Sequence, residues 1–145
     1  MRITSKEYNI KISSTKRKNK KPEKVLEKQV IAWAPLKHWD LTVVEAKSVF
    51  NPRLGMYLRS QVEPGYSDIS GNDNEGMAVY IELKSKGKRS TLSDTPRTFL
   101  TRKIFTNAFA VCVDSLDMLE ENYKLWRKFT TFDQKKVYLL SILPK

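Results

Sequence analysis

Apolar positions along the chain recur at helical spacing in some stretches and alternate in others, and each change of period marks an element. Leu26, Val30 and Trp33 form one stripe of a helix predicted from Pro22 to about Lys37, because residues three and four apart share a helix face. Pro22 suits the first turn, and Glu23 and Glu27 lie near the positive end of the helix dipole. β-Branched Thr42, Val43 and Val44 predict a strand over 41–46. Two strand-like runs flank the turn formers Asn72, Asp73, Asn74, Glu75 and Gly76, so residues 65–84 read as a β-hairpin with an extended loop. In its second run Val79, Ile81 and Leu83 take one face, and Glu82 and Lys84 take the other.

Further along, Ser93 or Asp94 caps a helix reaching to about Asn107, with Pro96 in its first turn and Phe99, Leu100 and Ile104 inside. The continuous apolar run from Ala108 to Val113 predicts a buried central strand. A helix from Ser115 to about Phe129 follows, with Leu116, Leu119, Tyr123 and Trp126 at core spacing. The pattern leaves the type of Val137 to Ile142 open, a strand being one reading; exposed in a monomer, that run would be a dimer contact. Between Lys47 and Glu63, Phe50, Met56 and Tyr57 interleave with Lys47, Arg53 and Arg59 around Asn51-Pro52 and Gly55. This stretch reads either as a long connection pinned to the core by its aromatics or as a loop that tracks phosphates and stacks on bases. The order of elements predicts a single-domain α/β sandwich, a mixed central β-sheet flanked by helices on both sides.

Charge adds a partner class. The 145 residues hold 27 Lys plus Arg against 16 Asp plus Glu, a net charge of +11 that favours a polyanion, nucleic acid first. Residues 1–21 carry eight basic side chains, Arg17 and Lys18 among them, against Glu7 alone. That arm precedes a folded domain over 22–145 and reads as a solvated leader or as an electrostatic arm for DNA or RNA, with alternating Tyr8, Ile10 and Ile12 suited to an edge strand. One cysteine, Cys112, and one histidine, His38, leave no disulfide and no zinc cluster to build. No run has the length of a signal peptide core or a membrane span, so a soluble, cytoplasmic protein without an organic cofactor is expected.

The candidate chemistry sits on the 65–84 hairpin. Antiparallel pairing would bring Asp68 beside Glu82, and two adjacent carboxylates repel unless a proton or a divalent cation lies between them. Hard oxygen ligands of this kind suit Mg²⁺ or Mn²⁺, and Lys84 on the same face could hold an anionic substrate. Phosphodiester hydrolysis fits such a set. The plainer reading is an exposed Glu82–Lys84 ion pair with Asp68 supporting a turn.

Gly65-Tyr66-Ser67-Asp68, then Val79-Tyr80-Ile81-Glu82-Leu83-Lys84, then Lys86-Gly87-Lys88-Arg89 and Leu92-Ser93, resemble the PD-(D/E)XK nuclease superfamily, and most the VRR-NUC and Holliday-junction-resolvase-like branch. The resemblance covers roughly residues 22 to 116. It implies a restriction-endonuclease-like core, Asp68 and Glu82 as metal ligands, and Lys84 positioning or activating the attacking water. It also implies a third metal ligand, a glutamate from the preceding helix, for which Glu27 is the best match and Glu23, one turn earlier, the fallback. A Mg²⁺- or Mn²⁺-dependent endodeoxyribonuclease acting on DNA, branched DNA such as a Holliday junction or flap included, and working as a homodimer, is what the branch implies. The chain departs from the branch at Ser67, where proline is usual, and at Pro96 and Arg97, where a glutamine is usual.

Lys86, Lys88 and Arg89 would then be the leading backbone contacts, with Arg97, Arg102 and Lys103 on the next helix and Arg53 and Arg59 on the 47–63 loop. Two rival readings remain open from sequence: a nucleic-acid-binding module of the same fold without chemistry, and a structural protein of a basic assembly.

Overall fold

Helix α1 runs from Pro22 to Trp33, and its Leu26, Val30 and Trp33 are buried, the stripe the pattern predicts. It stops earlier than its apolar spacing suggests. Pro35 lacks the N–H that would continue the ladder, so the chain tightens into a 3-10 turn over Ala34–Lys37, which left-handed His38 ends. The computed structural model describes residues 22–45, 49–58 and 62–145. The basic arm, with Arg17, Lys18 and the alternating Tyr8, Ile10 and Ile12, and also Lys47 and Arg59, lie outside the described residues.

Six strands follow one another with three more helices among them: β1 (Asp40–Val43), β2 (Val49–Asn51), β3 (Met56–Leu58), β4 (Ile69–Asn72), β5 (Ala78–Leu83), α2 (Asp94–Ile104), β6 (Phe109–Val113), α3 (Leu116–Lys128) and α4 (Phe132–Ile142). Strands β1, β4, β5 and β6 form a mixed sheet in that order, antiparallel except for the parallel β5–β6 pair. The α/β class and the mixed sheet are as predicted. Gly71 makes the β1–β4 contact possible, since a Cβ there would lie 1.9 Å from the Asp40 carbonyl oxygen.

Three expectations change. The Ala108–Val113 run is the last strand of the pairing order among the described residues, not a central one; all five residues of β6 are buried because helices cover it rather than strands on both sides. Val137–Ile142 belongs to α4, which Thr131 caps by accepting the Gln134 N–H. The 47–63 stretch holds a separate two-stranded hairpin, β2–β3.

Side-chain contacts place helices on both faces of the sheet. On one, Phe109 of β6 packs against Tyr123 and Trp126 of α3 with ring centroids 5.2 Å apart, and Trp39 meets both Trp33 of α1 and Tyr123. On the other, Tyr80 of β5 meets Phe99 of α2 at 5.5 Å. Face alternation along β5 sends Tyr80 one way and Val79, Ile81 and Leu83 the other, into the core.

Candidate active site on the hairpin

The site follows from the β4–β5 register. Ile69 pairs with Ile81, so Asp68, one residue earlier, stands across from Glu82 on the Tyr80 face. The Leu83 N–H donates to Asp68 Oδ2 at 2.8 Å, and the Val44 N–H donates to the Asp68 carbonyl at 2.9 Å. Asp68 is thereby fixed by the strands on either side of it. Ser67, where the resembled branch has proline, is buried and its hydroxyl donates to the Ile69 carbonyl at 2.9 Å, so the bend is held by a hydrogen bond instead of a ring.

Burial raises both carboxyls above the ordinary range. Glu82 is pushed up to about 8, chiefly by burial, next by the Asp68 charge, while Lys84 pulls it back. Asp68 is raised by burial and pulled down by the Leu83 N–H. Glu82 Oε2 is buried without a hydrogen-bond donor. An orphaned buried carboxylate oxygen costs free energy until a proton or a cation satisfies it. The pair is thus two hard oxygen donors, one with a lone pair open, and this fits a divalent cation completed by water.

Helix α1 contributes more charge than the residue favoured from sequence. Glu23 raises both Asp68 and Glu82, and it acts on Asp68 more strongly than Glu27 does. Glu27 is also held by Lys24 at 3.4 Å. Among the described residues no three His, Cys, Asp or Glu side chains gather at metal-ligand spacing; the α1 carboxylates act on the pair through their charge. Helix periodicity puts Glu23 and Glu27, four residues apart, on one face and does not separate them.

Lys84 lines a cleft of about 470 Å³ together with Pro22, Gln29, Lys86, Asp114 and Ser115. Asp114 accepts the Gly87 N–H at 2.9 Å and so fixes the Lys86-Gly87-Lys88 turn at the mouth of this cleft; Gly87 has φ +77°, which favours glycine. Neither Gln29 nor Asp114 carries a sequence signal for this position. A larger groove of about 720 Å³ lies by Trp33, Trp39 and Tyr123. Its acidic Asp117, Glu120 and Glu121 belong to α3 and mingle with Lys37, Lys124 and Arg127, the pattern of a solvated helix face.

The basic residues divide. Lys86 and Lys88 are exposed. Arg89 is turned inward, donating through Nε to the Cys112 carbonyl at 2.9 Å and through Nη2 to the Ile142 carbonyl at 2.6 Å. Arg97 likewise donates to the Pro144 and Leu92 carbonyls. Arg102 pairs with Glu63 at 2.6 Å, and Lys103 lies over the Tyr80 ring, 4.9 Å from its centroid. Arg53 is exposed at the tip of β2–β3.

No family model matches the chain, and neither does any curated protein or any solved structure. Among the described residues no helix is long and apolar enough to cross a membrane.

Proposed function

We propose that the chain is a Mg²⁺- or Mn²⁺-dependent endodeoxyribonuclease with a restriction-endonuclease-like core, and that Asp68 and Glu82 hold the ion. The observation that carries this reading is the half-buried pair itself, facing carboxyls of raised pKa with the buried Glu82 Oε2 lacking any donor. Loss of a proton from such a pair leaves negative charge that a divalent cation neutralises. A cation bound there supplies charge neutralisation to a phosphate and acidity to water.

The remaining roles belong to the chain's own groups. Lys84 acts electrostatically on Glu82 and lines the cleft, so its ammonium would hold a phosphate oxygen or orient the attacking water. Lys86 and Lys88 would take up flanking phosphates, releasing counterions and making affinity fall with salt. Branched DNA as the preferred substrate, and paired subunits cutting opposed strands, are the resemblance's contribution to the proposal.

Purified protein incubated with labelled duplex, flap and four-way-junction DNA in Mg²⁺, Mn²⁺ or EDTA tests it, beside Glu82→Ala and Lys84→Ala. The expected result is metal-dependent cleavage lost in Glu82→Ala and lowered roughly 10²- to 10⁴-fold in Lys84→Ala, the usual worth of a positioned proton-transfer group. Salt-sensitive binding with no cleavage by any of the three would leave a binding module and overturn the reading.

A further inference from the structure

The hairpin β2–β3 exposes what a folded domain ordinarily hides. Phe50 and Tyr57 face each other across it, ring centroids 5.3 Å apart, and stay 49% and 69% exposed. Leu54, Met56 and Leu58 are exposed as well. The tip is pre-shaped: Asn51 Oδ1 accepts the Arg53 and Leu54 N–H groups, and Gly55 turns the chain at φ +61°. From Ala46 to Val62 the chain carries Lys47, Arg53 and Arg59 and no acidic residue.

In sequence this hairpin lies between two residues of the candidate site: Val44, whose N–H is bonded to the Asp68 carbonyl, precedes it, and Asp68 itself follows it. The returning limb is anchored by Glu63 on Arg102 and by Tyr66 on Phe99, with centroids 4.5 Å apart. Tyr66 therefore does the pinning to the core, and Phe50 and Tyr57 are left facing solvent.

We infer that the Phe50–Tyr57 pair is a stacking platform for unpaired nucleobases, which selects DNA with an open or branched segment; this rests on the nuclease reading for its substrate. Paired bases in a continuous duplex have both faces covered and offer the rings nothing. An unstacked base offers a π-face, and the exposed Arg53 at the tip is a cation for the backbone that carries it. A second copy of the chain is the other partner an apolar hairpin could take, but an apolar self-contact gains nothing from three like charges along the segment.

The test measures binding in EDTA, where no cleavage occurs, to a Y-shaped fork and to a fully paired duplex of the same length. It compares the unaltered chain with Phe50→Ala/Tyr57→Ala, Tyr57→Trp and Glu82→Ala, and records the oligomeric state of each by light scattering. Loss of the rings should weaken fork binding roughly tenfold or more while duplex binding changes less than about twofold, since stacking on an aromatic is worth that much per base. Tyr57→Trp should retain fork binding, which a misfolded hairpin would not. Equal weakening on both DNAs, or a change of oligomeric state with fork preference intact, overturns the platform. The two proposals separate cleanly: fork preference that depends on the rings in a protein that never cleaves keeps the platform and sinks the nuclease, and cleavage with ring-independent preference does the reverse.

Discussion

Glu82 and Asp68 face each other one step beyond the Ile69–Ile81 pair, and the backbone N–H of Leu83, Glu82's neighbour, holds Asp68 Oδ2 at 2.8 Å. The hydrogen bond steadies the Asp68 charge, while burial and then that charge favour the protonated form of Glu82, so the two carboxyls are unequal. Glu82 is the one that keeps its proton, to about 8.

That inequality sets a pH dependence. Between its ordinary value, about 4.3, and about 8, folded Glu82 holds a proton that the unfolded chain has released. Stability contributed by this group therefore falls as pH rises through that window. In EDTA the melting temperature of the unaltered protein should decline from pH 5 to pH 8.5 more steeply than that of Glu82→Gln, with Glu82→Gln the more stable at the upper end. Parallel pH profiles would contradict the shift. The same proton competes with metal, so Mn²⁺ affinity should climb over this range and level off above about 8.

The two helix carboxylates should separate under substitution. Glu23 raises both site carboxyls and outweighs Glu27 at Asp68. Calorimetric titration with Mn²⁺ should show Glu23→Gln weakening binding several-fold and Glu27→Gln less. The reverse order would restore Glu27 to the role sequence favours.

Arg89 should behave as a structural residue and Lys86 and Lys88 as binding residues. Arg89→Ala removes charge-assisted hydrogen bonds to two carbonyls, a loss of ~2–4 kcal/mol in unfolding free energy. Arg89→Lys should recover only part, because an ammonium lacks the guanidinium fork. Lys86→Ala and Lys88→Ala should leave denaturation midpoints unchanged and each lower the salt slope of DNA binding by about 1. A drop in DNA affinity for Arg89→Ala at unchanged stability would reverse this assignment.

What sequence could reveal was decided by how local each signal is. The Asp68–Glu82 pairing was legible because strand alternation and a single turn determine it, and α2 and α3 because their apolar stripes are long. Residues 137–142 are only half of α4, and its capping Thr131 lies six residues before them, so the fragment alone shows no helical period. Arg89 and Arg97 read as surface cations because nothing near them in sequence announces that carbonyls 23 to 53 residues away will face them. Hydrophobicity alone leaves Phe50 and Tyr57 either pinned to the core or free to stack on bases; in the fold Tyr66 does the pinning.

Among the described residues strand β6 pairs with β5 on one side only, and the Cys112 carbonyl turned to the other side is taken by Arg89. An apolar strand with a free row of amides and carbonyls is a template on which other chains can deposit. One guanidinium, tied also to the last turn of α4, bars that template, so its removal would be felt less in the chemistry of the site than in how much of the protein stays out of inclusion bodies.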